Sequence, residues 1–322
     1  MQRLTLWNVL ASAWRAIVGI EMKILISGSS GFVGTALVET LRADGHTAVR
    51  LLRGNQQLAA GDARWDPVAG TLDLSAVESA DALVNLGGAN IGEKRWTPAR
   101  KKELCSSRVD ATRSLVGALA KLQNPPKVLV SASATGYYGS RGDEQLTESS
   151  AGGNNFIAEL ARNWECEATH AQSLGIRVIL PRFGIILSAN GGALPRMLLP
   201  FRFGVGGRLG SGKQWMSWIS LVEVICIIRK LITQPGLHGP VNVVAPNPVR
   251  NSEFTHILGR VLRRPAIFPA PAFALRLVLG EMADELLLAS QRVLPARLNE
   301  IGYEFRHPEL ESTLKLLLSK TI

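Results

Sequence analysis

Polar residues drop out of the first half of the chain at regular intervals, and the gaps between them change period. Ile24, Leu25 and Ile26 form an apolar run with no polar alternation. That pattern predicts a strand buried on both faces, as in a parallel sheet covered by helices. From Phe32 to Ala43 the apolar positions fall at 33, 36, 37 and 41, which is helical spacing, and Asp44-Gly45 stops it. Thr47–Leu52, Asp81–Leu86, Lys127–Ser131 and Ile176–Leu180 read as further strands. Between them lie a helix opened by Pro98 and running to about Leu122, and another over Phe156–Ala171 with apolar residues at 156, 157, 160, 161, 164 and 168. The polar, Gly/Ser-rich stretch Arg141–Asn155 reads as a loop. Strands alternating with helices predict an α/β fold with a doubly wound parallel sheet.

Past Pro181-Arg182-Phe183-Gly184 the alternation becomes irregular. Leu221–Thr233 reads as a helix, Val241–Val244 as a strand, and Asn251–Leu318 as mostly helical with prolines at 265, 269, 271, 295 and 308. The expected organisation is an extension over 1–21, a nucleotide-binding domain over 22–184, and a smaller, mostly helical substrate lobe over 185–322, some of whose elements return to the sheet.

Composition adds exclusions. No run of about 18 apolar residues occurs, so no membrane span is expected. The formal charge is +10, but Lys and Arg are spread from Arg3 to Lys320 and no nucleic-acid motif accompanies them. Two readings of the charge stand: phosphorylated ligands, or simple solubility. Cys105, Cys166 and Cys226 lie in apolar helical contexts without metal-ligand spacing, and an odd count argues against a disulfide framework. They read as buried thiols in a reducing compartment, and no metal site is expected. Met1–Glu21 carries Arg3 and Arg15 but no acid before Glu21. It reads as a transit peptide or, preferably, as a translated upstream region, because Met22 directly precedes the first strand. Cytoplasmic localisation is the expectation.

Candidate chemistry gathers at strand ends. The first strand runs into Gly28, Gly31 and Gly34 and then into a helix. Strand, glycine turn and helix N-terminus together form the geometry that holds a dinucleotide pyrophosphate. The expected contacts are Gly28, Ser29, Ser30, Gly31, Phe32, Val33 and Gly34. The second strand ends at Arg53, about twenty residues past the glycines, where an acid would bind the ribose hydroxyls of NAD. A guanidinium there suits the 2′-phosphate of NADP, the plainer alternative being a solvated surface arginine. Leu86, Gly87, Gly88 and Ala89 follow the next buried strand and suit close approach by the cofactor's nicotinamide side, with Ser131 at the end of the strand after it. Gly191–Trp218 is Gly-rich and carries Arg196, Arg202, Arg208 and Lys213 with no acid, which suits an anionic substrate.

Gly28-x-x-Gly31-x-x-Gly34, Asn85–Ala89, and Ser131–Gly139 with its Tyr138-Gly139 resemble the extended short-chain dehydrogenase/reductase superfamily. Ser131–Gly139, Trp164-Glu165, Gly207–Trp218 and Phe254–Gly302 are similar to its atypical, epimerase-like family with a conserved C-terminal domain of its own. The resemblance covers Met22 to about Leu318. It implies a Rossmann-type fold like that of sugar-nucleotide epimerases, and NADP (NADPH) as cofactor. The superfamily's proton-transfer Tyr and the Lys four residues later belong on the helix beginning near Phe156, but Phe156 and Leu160 stand there. Ser133 matches the superfamily's serine, Arg108 falls where its Asn is expected, and Tyr138 aligns with a substrate-contacting Tyr. Tyr137, Asp143, Glu144 and Glu165 are less favoured candidates for proton transfer. Ser133 and Tyr138 are therefore the expected catalytic pair, in an oxidoreductase or epimerase acting on a phosphorylated or nucleotide-linked small molecule. The rival is a non-catalytic NADP-binding redox sensor. No nucleic-acid or membrane partner is expected, and a homodimer is left open.

Overall fold

The computed structural model describes residues 21–54 and 56–319. The segment read as a transit peptide or upstream region thus lies, except for Glu21, outside the described residues.

The unbroken apolar strands are explained by two cores. In β1 (Lys23–Ser27) and its neighbours, successive side chains point to opposite faces of the sheet. Ile24 and Ile26 pack on one face and Leu25 on the other, all three fully buried. The first face is covered by α1 (Phe32–Ala43) and by Leu221–Thr233. The second is covered by Leu115, Leu119 and Ala168 from two other helices. A polar residue at any of these strand positions would face one core or the other.

The strands continue as β2 (Thr47–Leu52), β3 (Ala63–Asp66), β4 (Thr71–Leu72), β5 (Ala82–Asn85), β6 (Val128–Ser131), β7 (Arg177–Phe183) and β8 (Gly239–Val243). Their spatial order is β8-β7-β6-β5-β1-β2-β3-β4, with Ser133–Ala134 pairing beside β7. All pairs are parallel except β3–β4 at the edge. The sheet is Rossmann-type and doubly wound. β3 and β4 are absent from the sequence reading because two- and four-residue strands are too short for a period to show.

The helix expected from Pro98 to about Leu122 is interrupted. It consists of α2 (Pro98–Cys105), a π-helical turn over Ser106–Asp110, and α3 (Ala111–Leu119). Such turns often mark functional positions, and this one carries Arg108. Next come α4 (Phe156–Thr169), α5 (Leu194–Arg202), α6 (Leu221–Thr233), α7 (Asn251–Leu262), α8 (Ala272–Leu279) and α9 (Leu310–Leu318). Leu194, Leu198 and Phe201 of α5 join Phe254 and Leu258 of α7, Leu310 and Leu314 of α9, and Trp218 in a separate core under the C-terminal lobe. The stretch 141–155 is less free than its composition suggests. Gln145–Leu146 pairs with Arg292–Val293, and Leu146 is fully buried. The cysteine reading is corrected: Cys166 is exposed, because it falls on the outer face of α4, and Cys105 and Cys226 are only half-buried. No described helix is long and apolar enough to cross a membrane.

Burial also shapes acid sensitivity. His46 and His307 are held below the usual value of 6.5, in both cases mainly by desolvation. His307 Nδ1 lies 2.8 Å from Ser220 Oγ, the residue that caps α6. Between the lowered folded pKa and 6.5 the unfolded chain binds more protons, so this stability is present above pH 6.5 and lost on acidification. The thermal midpoint is expected to fall between about pH 7 and pH 5, and His307→Gln to flatten that fall. An identical profile for the variant would count against the assignment.

Candidate functional site

The glycine turn is dictated first by the chain's own packing. Gly28 has φ +67°, and a Cβ there would lie 2.7 Å from the Leu86 carbonyl. At Gly34 a Cβ would lie 2.2 Å from Gly28 O. The turn is closed by the Gly31 N–H donating to Gly28 O at 2.9 Å, and Gly31 then caps α1 without any side-chain partner. The first amides of an α-helix have no intrahelical acceptor, and the positive end of the helix dipole lies behind those of α1. Ser29 is 3 % exposed and its Oγ has no hydrogen-bond partner. A buried hydroxyl left unsatisfied is costly. Ser30 is exposed, and Phe32 and Val33 are half-buried. Gly191 and Gly192 pack directly on the Phe32 ring, where a Cβ would come within 2.6 and 2.9 Å of it.

At the end of β2, Arg53 is exposed and makes no hydrogen bond or ion pair among the described residues. The loop after it is ordered by Arg64, whose guanidinium donates to the carbonyls of Gly54 and Gln56. Sequence reasoning missed Arg64, which belongs to one of the short edge strands. On the other side of β1, Asn85 ties three strand ends together. It accepts from Ser27 Oγ and donates to Ser131 Oγ at 3.1 Å and Thr112 Oγ1 at 3.0 Å. Thr112 in turn accepts from Trp164 Nε1 at 2.9 Å. Ser131 is fully buried in this network. It fixes the floor under Leu86–Ala89, and its hydroxyl does not reach the surface.

Arg108 lies over that loop. Its Nη2 donates to Ala89 O at 2.9 Å, its guanidinium stands 5.3 Å from the Trp164 ring, and a Cβ on Gly88 would come within 3.0 Å of Cζ. No carboxylate pairs with it among the described residues. Burial, and then the neighbouring Arg100, lower its pKa to about 10. The position that looked like a lost Asn thus supplies a cation at the carboxyl end of β5.

The structure places the expected catalytic pair, Ser133 and Tyr138, inside the core. Ser133 is 3 % exposed and donates to Glu165 Oε1 at 2.6 Å. Glu165 accepts from Arg182 through both oxygens, at 2.8 Å each. Arg182 Nη1 donates to Tyr138 OH at 3.0 Å, and Tyr138 donates to Asn242 Oδ1 at 2.7 Å. Tyr138 is completely buried. Desolvation, partly countered by Arg182, pushes its phenol up to about 12. Neither hydroxyl is presented to a ligand, because both complete a buried chain that also takes in Glu165. Tyr137 is half-buried, with the Arg182 guanidinium 3.4 Å above its ring. Phe156 packs edge-on to Trp96 at 5.3 Å under Lys101 Nζ, and Leu160 is buried in the same cluster.

The basic residues between 196 and 213 do not converge. Arg196 donates to Gly92 O, near the 86–89 loop. Arg202 and Arg208 are exposed elsewhere. Only Lys213 reaches an open groove of about 470 Å³, which is also lined by Asp143, Gln214, Arg250, Arg276 and Ser290. Beside it Trp215 lies between the guanidinium groups of Arg250 (4.7 Å) and Arg292 (4.5 Å) and donates to Asp143 at 2.7 Å. Those contacts with Trp215 and Arg250 hold the Asp143 carboxyl below its usual range. The groove shares no residue with the glycine turn. Arg250, Arg276 and Arg292 carry no local motif, and only the fold brings them to one place.

Against known proteins, residues 24–245 match the NAD dependent epimerase/dehydratase family, and residues 270–317 match a domain of unknown function, DUF1731. The chain is 42% identical over 291 residues to an epimerase family protein of Mycobacterium bovis, covering 90% of this chain and 96% of that one. The crystal structure of the human epimerase family protein SDR39U1 (isoform 2) with NADPH aligns with TM-score 0.82 at 33% identity, covering 92% of this chain and 99% of that one. A nucleoside-diphosphate sugar epimerase from Corynebacterium glutamicum aligns with TM-score 0.81 at 32% identity, covering 97% of this chain and 62% of that one.

Proposed function

Because the chain belongs to the NAD-dependent epimerase/dehydratase family, we propose that it is an NADP-dependent, epimerase-like oxidoreductase acting on an anionic, phosphorylated or nucleotide-linked small molecule. The observation that carries the cofactor assignment is Arg53, exposed at the end of β2 with no competing partner among the described residues. The residues present fit NADP: the Gly28–Gly34 turn and Ser29 Oγ for the pyrophosphate, Arg53 for the 2′-phosphate, and Leu86–Ala89 for the nicotinamide side. When bound, the cofactor supplies the hydride acceptor or donor. The chain itself supplies a floor held in register by Asn85 and a cation, Arg108, that favours negative charge beside the 86–89 loop. The NADPH-bound human relative and the similarity to a nucleoside-diphosphate sugar epimerase support this reading. The basic lining of the groove, with Lys213, Arg250 and Arg276, supports an anionic substrate.

Arg53→Ala is expected to weaken NADPH about tenfold to hundredfold while leaving NADH unchanged, the loss of one or two hydrogen bonds to a charged group. Fluorescence titration with both nucleotides measures it, and equal losses for the two would remove the 2′-phosphate assignment.

One observation favours the second reading, a non-catalytic NADP-binding redox sensor. The hydroxyls of Ser133 and Tyr138 are both committed inside the core. NADPH oxidation assayed across carbonyl and nucleotide-sugar panels separates the two. Turnover with any of them supports the enzyme, and tight NADPH binding without turnover supports the sensor.

A further inference from the structure

Helix α8 has the sequence Ala-Phe-Ala-Leu-Arg-Leu-Val-Leu, seven apolar residues in eight, and not one of them is buried. A helix apolar nearly all round is ordinarily covered on every side. The residues around it are equally unusual. Among the described residues, eight of the eleven exposed large hydrophobic side chains lie in two segments: Leu199, Phe203 and Val205 in the first, and Ile267, Phe268, Phe273, Leu277 and Val278 in the second.

The fold joins these segments. The Phe268 N–H donates to Gly206 O at 3.1 Å, Ala270 N–H to Arg208 O at 2.9 Å, and Gly210 N–H to Ala270 O at 2.9 Å. Residues 205–210 therefore run beside 267–270, and α8 follows directly. A cluster of this kind on a protein surface marks an interaction site, whereas scattered single residues do not.

Charge identifies the partner. No Asp or Glu occurs between Glu167 and Glu223, or between Glu253 and Glu281, the two stretches that contain the cluster. Arg202, Arg208, Lys213, Arg263 and Arg264 are exposed there and pair with no acid among the described residues. A second copy of the chain docked through the same face would set these cations against one another, since a two-fold interface brings identical surfaces together. Nucleic acid would satisfy the charges and leave the apolar side chains in water. A lipid surface meets both needs. Apolar side chains enter the boundary between headgroups and acyl chains while basic residues contact anionic headgroups.

We propose that α8 and the adjoining segments 199–208 and 263–268 form a peripheral docking face for membranes rich in anionic phospholipid. The chain would rest on such a surface without spanning it, and the groove lined by Ala272 and Arg276 of α8 would open next to the lipid. This assignment is independent of the cofactor reading.

The test is co-sedimentation of the full-length chain with vesicles of phosphatidylcholine alone or with one-third phosphatidylglycerol. Binding to the anionic vesicles only is expected. It should weaken as added salt shortens the screening length from about 8 Å at physiological ionic strength to about 3 Å at 1 M. Phe273→Ser with Leu277→Ser, and separately Arg263→Glu with Arg264→Glu, should each lower the bound fraction about tenfold, the apolar and the electrostatic contributions each being needed for stable attachment. NADPH titration of both variants should match the parent, because none of these residues lies at the glycine turn. Failure to sediment with anionic vesicles, or equal sedimentation of parent and variants, overturns the proposal. A parent dimer that Phe273→Ser converts to monomer, with no vesicle binding, assigns the face to a second copy. Capture of an acidic protein without vesicle binding assigns it to that partner.

Discussion

Arg182→Met is expected to destabilise the chain by about 3–5 kcal/mol, the usual loss when one partner of a buried ion pair is removed. Arg182 is 3 % exposed, and Glu165 accepts from it through both carboxylate oxygens. With the guanidinium gone, a carboxylate remains in the core with only the Ser133 hydroxyl donating to it, and Tyr138 loses one of its two partners. A methionine fills most of the volume, so the loss reports uncompensated charge more than a cavity. Urea unfolding measures the effect. The midpoint should drop by about 1 M or more, given the usual dependence of stability on denaturant. Glu165→Leu in the same chain should recover part of the loss, because removing both charges leaves no buried ion. A single-variant effect below about 1 kcal/mol, the range of exposed pairs, would mean that this network is open to water and that Ser133 and Tyr138 are again available as catalytic groups.

Gly34→Ala should abolish useful NADPH affinity, with a loss of at least about a hundredfold, or about 3 kcal/mol. The new Cβ would lie 2.2 Å from Gly28 O and 2.8 Å from Ser29 Cα, and both are backbone atoms. No rotamer relieves such a contact. The turn has to open by about an ångström, because carbon and oxygen in contact sit more than 3 Å apart, and that displaces the amides and Ser29 Oγ proposed above to hold the pyrophosphate. Gly31→Ala is the internal control. Its Cβ would stand 3.1 Å from Gly28 O and asks for a shift of only a few tenths of an ångström. The expected order is a severe loss for Gly34→Ala and a mild one for Gly31→Ala, read by NADPH titration with thermal unfolding alongside. The reverse order would mean that ligand contact, rather than the packing of the turn, is what requires these glycines.

Both experiments touch features of unequal legibility. The glycine turn could be read directly because everything it needs is local. A buried strand, three glycines at fixed spacing and a helix start occupy twelve consecutive residues, Lys23–Gly34. The place of Arg53 just past β2 was legible for a related reason, since its distance from the glycines is set by one helix and one strand. The missing Tyr and Lys of α4 could also be read, because Phe156 and Leu160 occupy a helix whose period is clear. The burial of Tyr138 was not legible, because it depends on Asn242 and Arg182, which lie 104 and 44 residues away.

The sequence by itself determined the layered sheet, the dinucleotide turn, and the absence of the usual proton-transfer pair, because hydrophobic period and turn chemistry act between near neighbours. Only the tertiary structure decided which polar groups are free. It buried Ser133 and Tyr138 behind the Glu165–Arg182 pair and set Arg108 over the 86–89 loop. It also gathered Arg250 and Arg292 around Trp215 and left Phe273, Leu277 and Val278 of α8 exposed. Each of these depends on what a residue far along the chain places opposite, and local patterning carries no record of that.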